Sequence, residues 1–179
     1  MVAYQKSNSF VSKVATQNDI DIATKRALKA VDKIPYPKGH QSVILNKVKN
    51  DLNSAPRHDI PHFQLLPHSA AELNKIPEGR ILDYLYHRYR YDIYPLTKKI
   101  DDYPPCLQIE PSSICNFRCV FCYQTDDELT KKINGHMGFM DFDLFKNIID
   151  QAEGNVEFVT LASRGEPTIH PKFNELMEY

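Results

Sequence analysis

The chain has 179 residues, 42% of them hydrophobic and 25% charged, which excludes a disordered polymer and a collagen-like repeat. No apolar run approaches the ~20 residues that cross a bilayer, and Met1 to Lys13 lacks the apolar centre of a secretory signal, so a cytoplasmic protein is expected. The net charge of −1 hides an asymmetry: residues 1–100 carry 16 Lys and Arg against 9 Asp and Glu, residues 101–179 carry 6 against 14.

Prolines punctuate the first part, with nine of the 12 lying from Pro35 to Pro105. Ahead of them, Ile20, Ala23, Ala27, Val31 and Ile34 recur at three- and four-residue spacing and predict an amphipathic helix over 18–34, ended by Pro35 and Pro37. A short helix over 43–52 follows, and Ser69 with Glu72 reads as the capping box of a third. Leu82, Leu85, Tyr86, Tyr89 and Ile93 share a face and predict a helix over 80–94; five tyrosines between 84 and 94 leave a strand as the alternative. Residues 1–100 thus read as a mainly helical, proline-interrupted extension.

After Pro105 the pattern changes. Residues 107–110 read as a short strand leading into a cysteine-rich loop. Asp141 is a good N-cap for a helix over 142–153, with Phe142, Phe145, Ile148, Ile149 and Ala152 as its apolar stripe and Gly154 as its stop. Val156 to Leu161 suits a buried strand, Arg164 to Pro167 a turn, and Pro171 opens another helix. Strand, helix, strand, helix over 101–179 predicts the start of a parallel α/β sheet, two βα units long.

Cys106, Cys115, Cys119 and Cys122 fall within 17 residues, too local for a disulfide framework, and so favour thiolates that hold a metal or a cluster. Cys115-Asn-Phe-Arg-Cys119-Val-Phe-Cys122 is a C-x3-C-x2-C arrangement placed directly after a strand. Three such thiolates can wrap one face of a compact metal centre and leave one position open. A four-cysteine zinc module with Cys106 as the fourth ligand stands as the alternative, and the spacing differs from the C-x2-C-x2-C run of bacterial ferredoxins.

The loop resembles the signature of the radical S-adenosylmethionine (radical SAM) enzymes, in which three cysteines of a C-x3-C-x-aromatic-C loop hold a [4Fe–4S] cluster. A second resemblance lies at Ser163-Arg164-Gly165-Glu166-Pro167, which matches the family's Gly-Gly-Glu-Pro-like turn except that Arg164 replaces one glycine. The flanks Gln108-Ile-Glu-Pro and Gly138-Phe-Met-Asp-Phe-Asp-Leu-Phe resemble the subgroup with SPASM or twitch extensions. The resemblance covers about residues 104–179. It implies Cys115, Cys119 and Cys122 as cluster ligands, Phe121 beside the adenine, and Gly165, Glu166 and Pro167 around the methionine end of S-adenosylmethionine. The fold it implies is the N-terminal portion of a partial (β/α) barrel, apparently truncated after the second βα unit. The chemistry it implies is reductive cleavage of S-adenosylmethionine to a 5′-deoxyadenosyl radical that takes hydrogen from a peptide or small-metabolite substrate. A reductant protein of the flavodoxin or ferredoxin type would supply the electron.

Other residues read as structural. Cys106 is expected to be a small buried hydrophobe at the strand start. His58 and His62 are four apart, but Pro61 breaks the helix that would align them. His136 and Met137 read as surface loop, and Glu110 and Glu166 as hydrogen-bonding groups more than an acid–base pair. Arg88 and Arg90 among the tyrosines would suit an RNA-modifying radical SAM enzyme, but the favoured reading packs the rings on the barrel, leaves the arginines solvated and assigns no nucleic-acid partner.

Overall fold

The structure is a computed structural model; it describes residues 15–33, 38–56 and 59–179, so Met1 to Lys13, Ile34, Pro35, Pro37 and His58 lie outside the described residues. It divides into two compact units, Met1–Ile100 and Asp101–Tyr179.

The first unit contains helices α1 (Gln17–Lys33), α2 (His40–Leu52), α3 (Pro67–Leu73) and α4 (Ile81–Thr97). Ala23, Ala27 and Val31 of the expected stripe are buried in α1, and small side chains there let it lie close to its neighbours. The capping box sits at this helix rather than at the third. Asp19 N–H donates to Thr16 Oγ1 at 3.3 Å, and Asp19 Oδ2 accepts from Thr16 N–H at 2.8 Å and from its hydroxyl at 2.7 Å. These bonds hold the Asp19 carboxyl below the usual carboxylate range. Ser69 instead lies inside α3, because Pro67 starts that helix two residues earlier, where its fixed φ and missing N–H cost nothing. Glu72 accepts from the Tyr84 hydroxyl at 2.7 Å.

Arg26, off the apolar stripe, donates to the carbonyls of Leu73 at 2.6 Å and Ile76 at 2.8 Å, satisfying the end of α3. Helix α4 confirms the helical reading of the tyrosine-rich stretch, with Tyr84, Tyr89 and Tyr94 buried in the core of this unit. The arginines are not solvated. Arg90 is 2% exposed with its guanidinium 4.6 Å from the Tyr86 ring centre, and Arg88 pairs with Asp92 at 2.6 Å.

The second unit carries a two-stranded parallel sheet of β1 (Cys106–Gln108) and β2 (Phe158–Thr160), in register Cys106 with Phe158 and Gln108 with Thr160. Between them come α5 (Asp127–Thr130) and α6 (Phe142–Ala152), and α7 (Phe173–Glu178) follows. This is an α/β unit of the expected order. Asp141 caps α6 by accepting from the N–H of Asp143 and of Leu144, and Gly154 follows at φ +73°, as a helix stop requires. Phe145, Ile148 and Ile149 of α6 pack with Leu107, Ile109 and Leu176 into a small core.

Both strands are shorter than expected, and β2 is not buried, since Phe158 and Val159 are each 43% exposed. A run of Val, Phe and Thr reports a liking for extended backbone, whereas burial depends on what packs over it. The last helix begins at Phe173, two residues beyond Pro171.

Candidate functional site

The C-terminal ends of β1 and β2 point the same way because the strands are parallel, and both candidate turns leave from those ends. After β1, Ile109 N–H donates to Thr160 O at 2.9 Å and prolongs the alignment by one residue. The chain then makes a long excursion whose neck is closed by backbone pairing. Met140 N–H donates to Pro111 O at 2.7 Å, Ser113 N–H to Gly138 O at 3.0 Å, and Gly138 N–H to Ser113 Oγ at 2.8 Å. Ser112 and Phe139 form the bridge between them. His170 is buried beside this neck: its Nδ1 accepts from Lys172 N–H at 3.0 Å, so Nε2 carries the proton and donates to Met140 O at 2.9 Å.

The three cysteines lie in this excursion. All are free thiols; Cys115 and Cys122 are half-buried and Cys119 is exposed. Their loop bonds are local, with Cys122 N–H donating to Cys119 O at 2.9 Å and Phe117 N–H to Cys115 Sγ at 3.4 Å. Phe121 is 91% exposed and Val120 stands out beside it, so the loop presents apolar side chains to its surroundings. Among the described residues no three His, Cys, Asp or Glu side chains are gathered closely enough to hold a metal ion. The structure therefore places Cys115, Cys119 and Cys122 on one loop without drawing them into a ligand set. The donor chemistry fits an iron–sulfur cluster: three unpaired soft thiols on one accessible loop anchored at its neck.

Cys106 does not join them. It is half-buried at the N-terminal end of β1, on the far side of a strand that rises about 3.3 Å per residue.

The second turn is fastened to the base of the first. Glu166 N–H donates to Ile114 O at 2.9 Å, one residue before Cys115. A Cβ on Gly165 would stand 1.7 Å from Ser112 O and 2.5 Å from its carbonyl carbon. Gly165 is thus required by contact with neighbouring backbone, since its φ is not in the left-handed region. Nor is that of Arg164, so the departure from the two-glycine pattern introduces no backbone strain there. Its side chain reaches across the strand ends to Glu110, Nε to Oε2 at 3.3 Å, and lies 5.8 Å from the Tyr123 ring centre.

Burial, then the Glu110 charge, pushes the Tyr123 hydroxyl above its ordinary value. Glu166 caps the short turn Pro167–Ile169 by accepting from the Thr168 hydroxyl at 2.6 Å and its N–H at 3.1 Å. The same bonds, the hydroxyl's first, hold its carboxyl below the usual range. Glu110 and Glu166 each make hydrogen bonds within this junction. His136 is exposed.

Sequence reasoning missed Gln124, buried in the turn Tyr123–Thr125 directly after Cys122. Nothing in its neighbourhood distinguishes it; its role comes from contacts with residues 11 and 40 positions away.

Comparison with known proteins bears on the same segment of the chain. Residues 109–179 match the profile of the Radical SAM superfamily. A protein of Pyrococcus furiosus described as "Tungsten-containing aldehyde ferredoxin oxidoreductase cofactor-modifying protein" is 36% identical over 73 residues, which are 40% of this chain and 19% of that relative. The chain thus spans about a fifth of the relative's length. No solved structure matches. Among the described residues no helix is long and apolar enough to cross a membrane. It is residues 109–179, which hold both the cysteine loop and the Gly165–Pro167 turn, that are similar to the Radical SAM superfamily.

Proposed function

We propose that residues 101–179 are the opening of a radical SAM core, a partial (β/α) barrel preceded by a unit whose described residues are mainly helical. In this reading Cys115, Cys119 and Cys122 hold a [4Fe–4S] cluster, and Phe121, Gly165, Glu166 and Pro167 border S-adenosylmethionine. The observation that carries it is the junction of the two turns, Glu166 N–H to Ile114 O, at neighbouring parallel strand ends. Open parallel sheets bind their ligands at that end. When bound, the cluster and S-adenosylmethionine supply hydrogen abstraction from unactivated carbon, chemistry beyond any side chain.

This chain's residues have other tasks. The loop offers the thiols, its neck fixes where they emerge, and the Gly165–Pro167 turn presents backbone beside them. A peptide or small metabolite is the substrate class, and the description of the relative as cofactor-modifying favours a small molecule. The electron would come from a flavodoxin- or ferredoxin-type protein, and the compartment would be the cytoplasm. The enclosure of Arg88 and Arg90 weighs against an RNA substrate.

Anaerobic reconstitution with iron and sulfide tests the proposal. A brown protein with broad visible absorption is expected, and added S-adenosylmethionine should change the spectrum of the reduced cluster. Tight stoichiometric zinc binding with no cluster would overturn it in favour of the zinc module, and a cluster indifferent to S-adenosylmethionine would leave an electron-transfer protein.

A further inference from the structure

Gln124 is 3% exposed, and its amide nitrogen serves three neighbours at once. Nε2 donates to Ser113 O at 2.6 Å, lies 3.0 Å from the Tyr123 hydroxyl, and reaches Arg164 O at 3.4 Å. Ser113 belongs to the neck ahead of Cys115, Tyr123 follows Cys122, and Arg164 precedes Gly165. One side chain therefore touches both limbs of the cysteine loop and the opposite turn. Carbonyl oxygens accept and never donate, so the amide nitrogen must face them and Oε1 is left turned away. Oε1 is buried and has no hydrogen-bond partner. A buried acceptor left unmade is costly, and a residue that tolerates one has its orientation fixed by its other bonds.

We infer that Gln124 is a positioning residue that sets the distance between the cysteine loop and the Gly165–Pro167 turn, and thereby the fit of S-adenosylmethionine between cluster and turn. This rests on the radical SAM reading. Two carbonyls, one from each turn, share a single donor group, so removing it takes away one tie between the turns and leaves Glu166 N–H to Ile114 O to hold them alone. The cysteines themselves are untouched by such a change, so cluster assembly should survive while nucleotide binding suffers.

The test uses the whole chain with Gln124→Met, which keeps length and bulk but removes the donors, and Gln124→Asn, which keeps the amide but is one methylene too short to reach both carbonyls. Hydrogen exchange at Glu166 N–H, whose acceptor is Ile114 O, is read first without any cofactor. Both variants should exchange faster there than the parent chain. After anaerobic reconstitution both should carry the parent's iron content, while the dissociation constant for S-adenosylmethionine rises about tenfold, the loss of one typical hydrogen bond.

Leu176→Ala, a core change outside both turns, should lower thermal stability without altering that constant. If both Gln124 variants bind S-adenosylmethionine as the parent does, or protect Glu166 equally, the positioning role is refuted. If Gln124→Met does not fold, Gln124→Asn decides alone. A parent chain that takes up no cluster refutes the family reading and with it the nucleotide part of the role, while the exchange result still decides whether Gln124 joins the two turns.

Discussion

Replacing Gly165 by alanine should damage the second unit more than any other single added methyl group at a glycine. The new Cβ would sit 1.7 Å from Ser112 O, 2.5 Å from Ser112 C and 2.9 Å from Ser113 Cα, where non-bonded carbons prefer roughly 3.5–4.0 Å. All three atoms are backbone, and that backbone is held by the bridge to Phe139 and by Ser113 N–H to Gly138 O, so no flexible side chain can move aside. Forcing the strands of chain apart is overpacking, about 1–3 kcal/mol, and rupture of Glu166 N–H to Ile114 O adds about 1 kcal/mol, for about 2–4 kcal/mol in all.

Gly154→Ala is the comparison. Its φ of +73° would strain an alanine, but nothing lies within 4 Å of the added carbon, so about 1–2 kcal/mol is expected. Urea unfolding followed by exchange at Glu166 and Met140 N–H groups would rank the two. A Gly165→Ala chain as stable as Gly154→Ala, with Glu166 still protected, would show that the two turns are not in contact as described.

Three further outcomes are expected. Cys119→Ala should abolish iron and sulfide uptake while Cys106→Ala retains it, by metal analysis after anaerobic reconstitution; equal loss in both would overturn the ligand assignment. Burial, then the bond to Glu72, raises the Tyr84 hydroxyl far above its ordinary value, so its contribution is complete below pH ~10 and is lost as pH rises beyond it. Tyr84→Phe should cost about 1–2 kcal/mol at neutral pH through the bonds to Ser69 O and Glu72, and should flatten the alkaline fall in stability above pH ~10 in unfolding curves; parallel curves would refute the assignment. Arg90→Ala should lower the thermal stability of the first unit by about 2 kcal/mol, as expected for an enclosed cation over an aromatic ring, and leave RNA retention unchanged in a filter-binding assay.

What could be read from the residues alone follows the range of the interaction that decides each feature. Helix α6 was legible from end to end because its cap at Asp141, its stripe and its stop at Gly154 all act within a turn or two. Two capping-box patterns were present, Thr16 with Asp19 and Ser69 with Glu72, and only the position of Pro67 relative to Ser69 separates the working one from the inert one. The arginines of α4 failed for a longer-range reason. Their sequence neighbours are polar enough to suggest solvent, but Arg90 is enclosed by a fold that no local window contains.

The cysteine spacing and the Gly-Glu-Pro turn were legible as separate signals, and the parallel pairing of β1 with β2 is what brings them to one end of a sheet. Their union is a matter of contacts across some fifty residues: Glu166 to Ile114, Gly165 against Ser112, and Gln124 between Ser113 and Arg164. A glycine in such a turn invites an account based on backbone freedom. Here Gly165 and Arg164 both avoid the left-handed region, so one position needs the absence of a side chain while the next tolerates a long one. The substitution of Arg164 for a glycine is thereby explained by which side of the turn faces the neck and which faces Glu110, a distinction that exists only once the two turns are packed together.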